Sequence, residues 1–319
     1  MKLSLIVPCY NEEENIRPFH DAVVNAFRGE NYDYEIVFVN DGSRDNTLGE
    51  LKKLYGEVDT PLRILSFSRN FGKEAAMRAG LEHATGDLQC LIDADLQQRP
   101  EVVVQMVRRL DECPELDCVA AYQAQRSEDK KLSFFKERFY AMINDLSDVE
   151  FRQDASDFRT FRKPVADAVL SLNEYHRFSK GLLSWVGFNT EYMPYEVQQR
   201  AAGESKWSFT KLLQYAIDGI VSFSTMPLRL PTLLGASLCV VSLLMLLANI
   251  LVFIAKPTAF SYDSLIIFLI VLLSGLQFLC IGILGKYLAQ TFEQSKNRPH
   301  YLLKEVIEPK SKQEEKEEA

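Results

Sequence analysis

Two long runs without a charged residue constrain this 319-residue chain more than any other feature: Leu230–Ile254 (LPTLLGASLCVVSLLMLLANILVFI) and Ser264–Gly285 (SLIIFLIVLLSGLQFLCIGILG). Each exceeds the roughly 20 residues that a helix needs to cross a bilayer core. Neither run has the polar face that a helical hairpin inside a soluble protein would show. The connector between them, AKPTAFSYD, is too short to recross a membrane, so the pair is expected to form a hairpin with both ends on one side. Arg229 precedes the first run, and Lys286, Lys296 and Arg298 follow the second, whereas the connector carries only Lys256, offset by Asp263. Positive flanks stay on the cytoplasmic side, which places the N-terminal part and the tail in the cytoplasm.

The rest of the chain has a different composition. Residues 1–227 mix apolar and charged positions as a globular domain does. The end, KEVIEPKSKQEEKEEA, is expected to be a disordered, solvated tail. A net charge of −8 argues against nucleic acid as a partner. The six cysteines form no CxxC pair and read as reduced packing residues. The opening MKLSLIVPCYNEEEN runs straight into a strand pattern, with no signal peptide. Before the first apolar run, Leu212, Leu213, Ile217, Ile220 and Val221 make a stretch interrupted by Lys211 and Asp218. It fits an interfacial helix on the membrane better than a third span, with an amphipathic core helix as the alternative. GLLSWVGF (181–188), with Trp185, is a second interfacial candidate.

In the N-terminal part, β-rich runs at 2–10, 34–41, 62–68 and 88–95 alternate with helical stretches at 15–28, 47–55, 73–83 and 100–111. That alternation predicts an α/β fold with a mostly parallel sheet, helices on its faces and ligands at the carboxyl ends of the strands. The polar clusters fall at those ends: PCYNEEEN, NDGSRDNT, SRNFGK and DADLQQRPE. One such cluster could be no more than a helix N-cap, as Asp45 or Asn46 would be before Thr47. Four on one rim predict a binding site.

The rim has neither GxGxxG nor GxxxxGK[ST], which counts against a Rossmann dehydrogenase and a P-loop NTPase, and no GxSxG elbow. The four histidines show no metal spacing. A strand over 88–95 would put Asp93 and Asp95 on one side, where two like charges need a positive partner. An oxygen-rich site of this kind suits Mg²⁺ or Mn²⁺ bridging carboxylates to a substrate's phosphates. A carboxylate pair working as acid and base is the competing reading, but hydrolases of that kind have no use for a membrane hairpin.

LSLIVPCYNEEENI, VNDGSRDNT, NFGKEAAMRAGL and DADLQQRPE together resemble glycosyltransferase family 2. DASDFRTF, RFSKGLLSWVGF and QRAAGESKWS, followed by the two apolar runs, resemble its polyprenyl-phosphate branch, the bactoprenol glucosyltransferases and dolichol-phosphate mannose synthases. The resemblance runs from about residue 3 to residue 290 and implies a GT-A fold. It places Pro8, Tyr10, Glu12, Val39 and Asp41 around the nucleotide base and Asp93 near the ribose. Asp95 and Gln97, with Asp93 alongside, would hold the divalent ion, and Arg200 and Lys206 would bind phosphate oxygens. Taken alone, Glu12 could belong to a solvated acidic turn, and Arg200 and Lys206 could contact anionic lipid.

Asp157, in SDFR, is the catalytic carboxylate that the resemblance implies near the acceptor. A phosphate monoester is largely ionised at pH 7 and already nucleophilic, so Asp157 could orient groups rather than take a proton. Arg126, Arg159, Arg177 and Lys180 are candidates for gripping the acceptor phosphate, and any of the arginines could instead form a surface ion pair. Lys180 stands where relatives tend to have arginine, which keeps the charge and loses the bidentate fork.

The reading expected from all of this is a metal-dependent, inverting hexosyltransferase in a bacterial inner membrane. It would move a sugar from a nucleotide diphosphate to undecaprenyl or another polyprenyl phosphate, for modification of a cell-envelope glycan. UDP-glucose is the first expectation for the donor, with UDP-GlcNAc, UDP-galactose, aminoarabinose donors and GDP-mannose as alternatives. The resemblance also implies a homo-oligomer. A processive polysaccharide synthase usually has more spans and a QxxRW motif, where this chain has VQQRAAGESKW; a non-catalytic membrane scaffold would not need the carboxylates. The expected division is a catalytic domain at 1–165, acceptor-side and interfacial helices at 166–227, two spans within 228–290 (230–254 and 264–287) and a largely disordered tail at 291–319.

Overall fold

The computed structural model describes residues 1–123, 155–175, 177–196 and 263–310, with isolated positions at 231, 237, 240 and 244. Strand and helix alternate from the N-terminus: β1 (Lys2–Cys9), α1 (Ile16–Phe27), β2 (Asp33–Asn40), α2 (Thr47–Glu57), β3 (Leu62–Phe67), α3 (Lys73–His83), β4 (Leu88–Leu91) and α4 (Pro100–Glu112). There follow β5 (Cys118–Gln123), β6 (Ala155–Arg162), α5 (Lys163–Ser171), α6 (Ser179–Trp185), β7 (Thr190–Tyr195), α7 (Asp263–Ser295) and β8 (Leu303–Ile307). All eight strands join one sheet in the order β7-β5-β6-β4-β1-β2-β3-β8.

The central strands β4, β1, β2 and β3 run parallel, while β6 lies antiparallel to β4 and to β5. Helices cover both faces, so the central strands are mostly apolar on both sides and divide by alternation. Leu3, Leu5, Val7, Ile36 and Phe38 pack into one core layer with residues of α1, α2 and α4; Ile6, Val37 and Val39 pack into the other with residues of α3 and α5. Phe19 of α1 meets Phe38 edge to face at 6.0 Å. On the other face α3 lies so close to β1 that a Cβ on Gly80 would stand 2.2 Å from Cγ2 of Ile6. Far from the rim, Glu35 is fully buried and accepts from Ser4 Oγ at 2.6 Å and the Thr85 amide at 2.7 Å. Burial pushes its carboxyl up, but these bonds and Lys2 outweigh it and hold the group below its ordinary value.

Three expectations need correction. A strand over 88–95 is too long: β4 stops at Leu91, with one more ladder bond from the Ile92 amide to Ile6, so Asp93 and Asp95 lie on a turn. A boundary at 165 does not divide the fold, because β7 pairs in parallel with β5 and extends the same sheet to Tyr195. The tail is not all disordered, because Leu303–Ile307 pairs antiparallel with β3 and covers that edge of the sheet.

The run 264–285 lies within the continuous 33-residue helix α7. Its side chains are described only in part, and among the described residues no helix is long and apolar enough to cross a membrane. The first apolar run and the stretch around 212–221 lie almost wholly outside the described residues. In GLLSWVGF, Leu182 and Leu183 are buried within the domain, whereas Trp185 is 58% exposed.

Candidate active site

Four parallel neighbours bring the ends of β1, β2, β3 and β4 to one rim, as the polar clusters require. The chain order reverses at β1, with β2 on one side and β4 on the other, and a crevice at such a point is where open α/β sheets bind ligands. The loops on the β1–β2 side are tied together. Asn11, at φ +54°, donates its amide to Ser43 Oγ at 3.0 Å, and its side-chain oxygen accepts the Arg44 amide at 2.9 Å. The Glu12 amide donates to Thr47 Oγ1 at 2.9 Å, and the Glu12 carboxylate accepts from Asn15 at 2.7 Å.

Asp41 is 3% exposed, and its two oxygens accept the amides of Phe71 at 2.7 Å and Gly72 at 2.9 Å. Burial raises its pKa although these bonds and Arg69 oppose the rise. Its geometry is that of a brace for the turn that starts α3. Gly42 makes that turn possible, since at φ +61° its absent Cβ would lie 2.3 Å from the Arg69 backbone. Val39 is fully buried in the core and offers a ligand only its backbone, while Pro8 and Tyr10 are partly exposed on the rim.

Across the crevice, the turn after β4 is closed by a residue that the sequence reading passed over. Gln98, 7% exposed, accepts the Asp93 amide at 2.9 Å and donates to Asp93 Oδ2 at 3.3 Å. Leu96 takes φ +59°, and the Gln97 amide donates to Asp95 Oδ1 at 3.2 Å. Asp93, Asp95 and Gln97 are thus gathered on one short, internally bonded turn.

The positive group beside Asp93 is Lys73, the first residue of α3. Its Nζ lies 2.7 Å from Asp93 Oδ1 and 3.5 Å from Asp157 Oδ2. Desolvation works to lower the lysine pKa, but the two aspartates outweigh it and raise the value. Asp157 comes from β6, which the antiparallel pairing brings beside β4. Burial pushes its carboxyl up, whereas Lys73, Lys180 and Arg159 pull it down further, and the net effect keeps it ionised. Its other oxygen, Oδ1, is buried without a hydrogen-bond partner among the described residues.

Lys73 lies within the cluster SRNFGK, whose pattern does not single it out; its position at the start of α3, facing the β4 turn, becomes visible only with the sheet order. The next residue, Glu74, was also missed. It accepts the Ser179 amide at 3.2 and 3.1 Å and the Ser179 hydroxyl, which joins α3 to the start of α6. Burial, then the charge of Asp157, push its pKa up to about 7.

The arginines expected at the acceptor face differently. Arg159 is 4% exposed and donates to the Ser156 carbonyl at 2.9 Å. Arg177 is 9% exposed and donates to the carbonyls of Leu172 at 2.6 Å and Val169 at 3.1 Å, at the C-terminal end of α5. Both guanidiniums are thus engaged inside the domain, while Lys180 is partly exposed beside Asp157. Arg126, Arg200 and Lys206 lie outside the described residues.

Among the described residues no three His, Cys, Asp or Glu side chains stand close enough to hold a metal by themselves. The donor set on the β4 turn is nevertheless all oxygen: two carboxylates and the amide oxygen of Gln97. That chemistry fits an ion of the Mg²⁺ or Mn²⁺ type whose remaining ligands come from a substrate diphosphate.

Comparison with known proteins gives concordant results. The profile of the family described as "Glycosyl transferase family 2" matches residues 4–170. A prophage bactoprenol glucosyl transferase homolog of Escherichia coli (strain K12) is 40% identical over 312 residues, 96% of this chain and 99% of that protein. The bactoprenol glucosyl transferase of Shigella phage SfV is 40% identical over 309 residues, 95% of this chain and 98% of that protein.

Proposed function

The chain belongs to glycosyl transferase family 2, and from that premise we propose that it transfers a hexose from a nucleotide-diphosphate sugar, UDP-glucose first, to a polyprenyl phosphate. The observation that carries this reading is the bridge made by Lys73, which joins a carboxylate on the β4 turn, Asp93, to one from β6, Asp157. A donor and an acceptor that meet there meet at one cation. Relatives of nearly full length named bactoprenol glucosyl transferase support the lipid acceptor.

In the mechanism that follows, the rim loops of β1 and β2 hold the nucleotide. Asp93, Asp95 and Gln97 would hold a divalent ion, which when bound supplies positive charge to the departing diphosphate. Lys73 adds a fixed positive charge where the sugar leaves one phosphate and joins another. The acceptor phosphate is ionised at pH 7, so Asp157, held as a carboxylate, orients the attack rather than removing a proton. Attack from the face opposite the diphosphate inverts the anomeric centre, giving a β-linked lipid from an α-linked donor.

The same reading places the site at a membrane. Large apolar side chains of α7, among them Ile270, Phe278 and Ile281, are 58%, 74% and 61% exposed, which supports lipid rather than water around that helix. With a second span at 230–254, the hairpin would sit in a bacterial inner membrane and leave both ends of the chain in the cytoplasm.

The experiment is to incubate membranes carrying the protein with labelled sugar nucleotides and undecaprenyl phosphate. Formation of a glycolipid that requires Mg²⁺ or Mn²⁺ supports the reading; polymer, or no transfer from any donor, overturns it.

A further inference from the structure

The end of α7 contacts the catalytic domain through the side chain of Gln294. Gln294 accepts the backbone amide of Tyr175 on Oε1 at 2.7 Å and donates from Nε2 to the carbonyl of Asn173 at 2.7 Å. Only one orientation of the amide satisfies both bonds, so the contact fixes position and rotation together. Six residues later the His300 ring stacks on Tyr175, with centroids 5.9 Å apart and planes at 25°. The loop held in this way is itself stiff. Arg177 ties it to the end of α5, and Ser179, just beyond it, is bound by Glu74, the neighbour of Lys73.

From Gly285, the last residue of the uncharged run, to Gln294 is nine residues, about 13 Å along a helix. The headgroup layer on each side of a bilayer core is about 5–8 Å thick. The clamp therefore sets the loop and the adjoining Lys180 just beyond the headgroups, within reach of a lipid phosphate and unable to drift from it. We propose that Gln294 is a positioning residue that fixes the height of the active site above the membrane through α7. This inference rests on the proposed reading of α7 as a membrane span.

The test uses the full-length protein with two acceptors: undecaprenyl phosphate in vesicles, and a short-chain, water-soluble polyprenyl phosphate in detergent. Gln294→Ala should lower transfer to the embedded lipid at least about fivefold, since small misplacements of a reacting pair are costly. Transfer to the soluble acceptor and the KM for the nucleotide sugar should stay within about twofold, since neither depends on height. A second variant keeps the clamp and changes the height. Seven residues inserted after Leu288 add about two helical turns and about 10 Å while preserving the helix face. It should show the same selective loss. Equal losses with both acceptors, or no loss with the embedded lipid in either variant, overturn the inference. Wild-type protein that uses neither acceptor overturns the proposed function, and this inference with it.

Discussion

Lys73 contacts both oxygens of Asp93, at 2.7 and 2.9 Å, from the first turn of a helix that follows a different strand. The contact ties the start of α3, which follows β3, to the turn after β4 that holds the carboxylates. It answers the charge problem of the DAD stretch within the protein, with Asp157 as the second partner of the same ammonium.

Replacing Lys73 with methionine keeps most of the stem and removes the charge. Asp93 and Asp157 then lose the cation between them, and Asp157 keeps only Lys180 and Arg159 nearby. Transfer should fall on the order of 100-fold or more, the usual cost of removing one fixed electrostatic group from an active site. Lys73 is 42% exposed on its side chain, so the unfolding free energy should change by no more than about 1 kcal/mol. Steady-state kinetics and thermal melts on the same preparation check both. A protein that retains full activity would remove Lys73 from the site.

Asp95→Asn changes one oxygen of the turn and leaves its internal bonds available, because the Gln97 amide can still donate to the remaining carbonyl oxygen. The fold should persist, while the thermal shift produced by Mn²⁺ plus nucleotide sugar disappears and transfer falls about 100-fold. An unchanged Mn²⁺ shift would show that the ion lies elsewhere.

Glu74 gives a pH dependence with a definite sign. Its carboxyl titrates near 4.5 when unfolded and is pushed up to about 7 in the fold, first by burial and then by Asp157. Between those values the folded protein holds a proton that the unfolded chain releases. The contribution is therefore full below pH 4.5 and is lost as pH rises through 7, by at most about 3 kcal/mol. Glu74→Gln stays neutral and can still accept from the Ser179 amide, so the slope of stability against pH over that window should flatten. Denaturant midpoints at pH 5, 6, 7 and 8 measure it; parallel curves for the two proteins would refute the assignment.

Much of the architecture was legible because local signals agreed with one another. Pro100 opens α4 as a first-turn proline should, and the four apolar strand runs alternate into two core layers. The polar exits of the strands converge because parallel strands cannot do otherwise. Less was legible where the answer depended on pairing between distant segments. Periodicity cannot say that β6 lies beside β4, so the meeting of Asp157 with Lys73 was hidden, as was the inward turn of Arg159 and Arg177. The short stop of β4 was also hidden, because Gln98 closes the turn through its side chain. The misread tail has the same cause. KEVI looks solvated next to so many lysines and glutamates, yet Leu303 and Ile307 pack against the two core layers, on either side of a shift in register, while Lys304 and Val306 stay exposed.

That edge strand supplies the last prediction. Tyr301, just before β8, stacks on Phe67 with centroids 4.9 Å apart and planes at 14°, and its hydroxyl bonds to Glu82. Phe67 is 2% exposed and owes part of that cover to the tyrosine ring. Beyond it, Glu305 pairs with Lys52 at 2.7 Å and Tyr55 donates to the Glu308 carbonyl at 2.9 Å. These exposed contacts each contribute little, so the aromatic pair should dominate. Tyr301→Ala should destabilise the domain by about 2 kcal/mol, whereas Tyr301→Phe, which keeps the stack and loses only the hydroxyl bond, should cost about 1 kcal/mol or less. Glu305→Gln should change stability by less than about 0.5 kcal/mol. Denaturant unfolding of the three variants at pH 7 ranks them, and a larger loss for Glu305→Gln than for Tyr301→Ala would mean that the strand is held by its charges rather than by its ring.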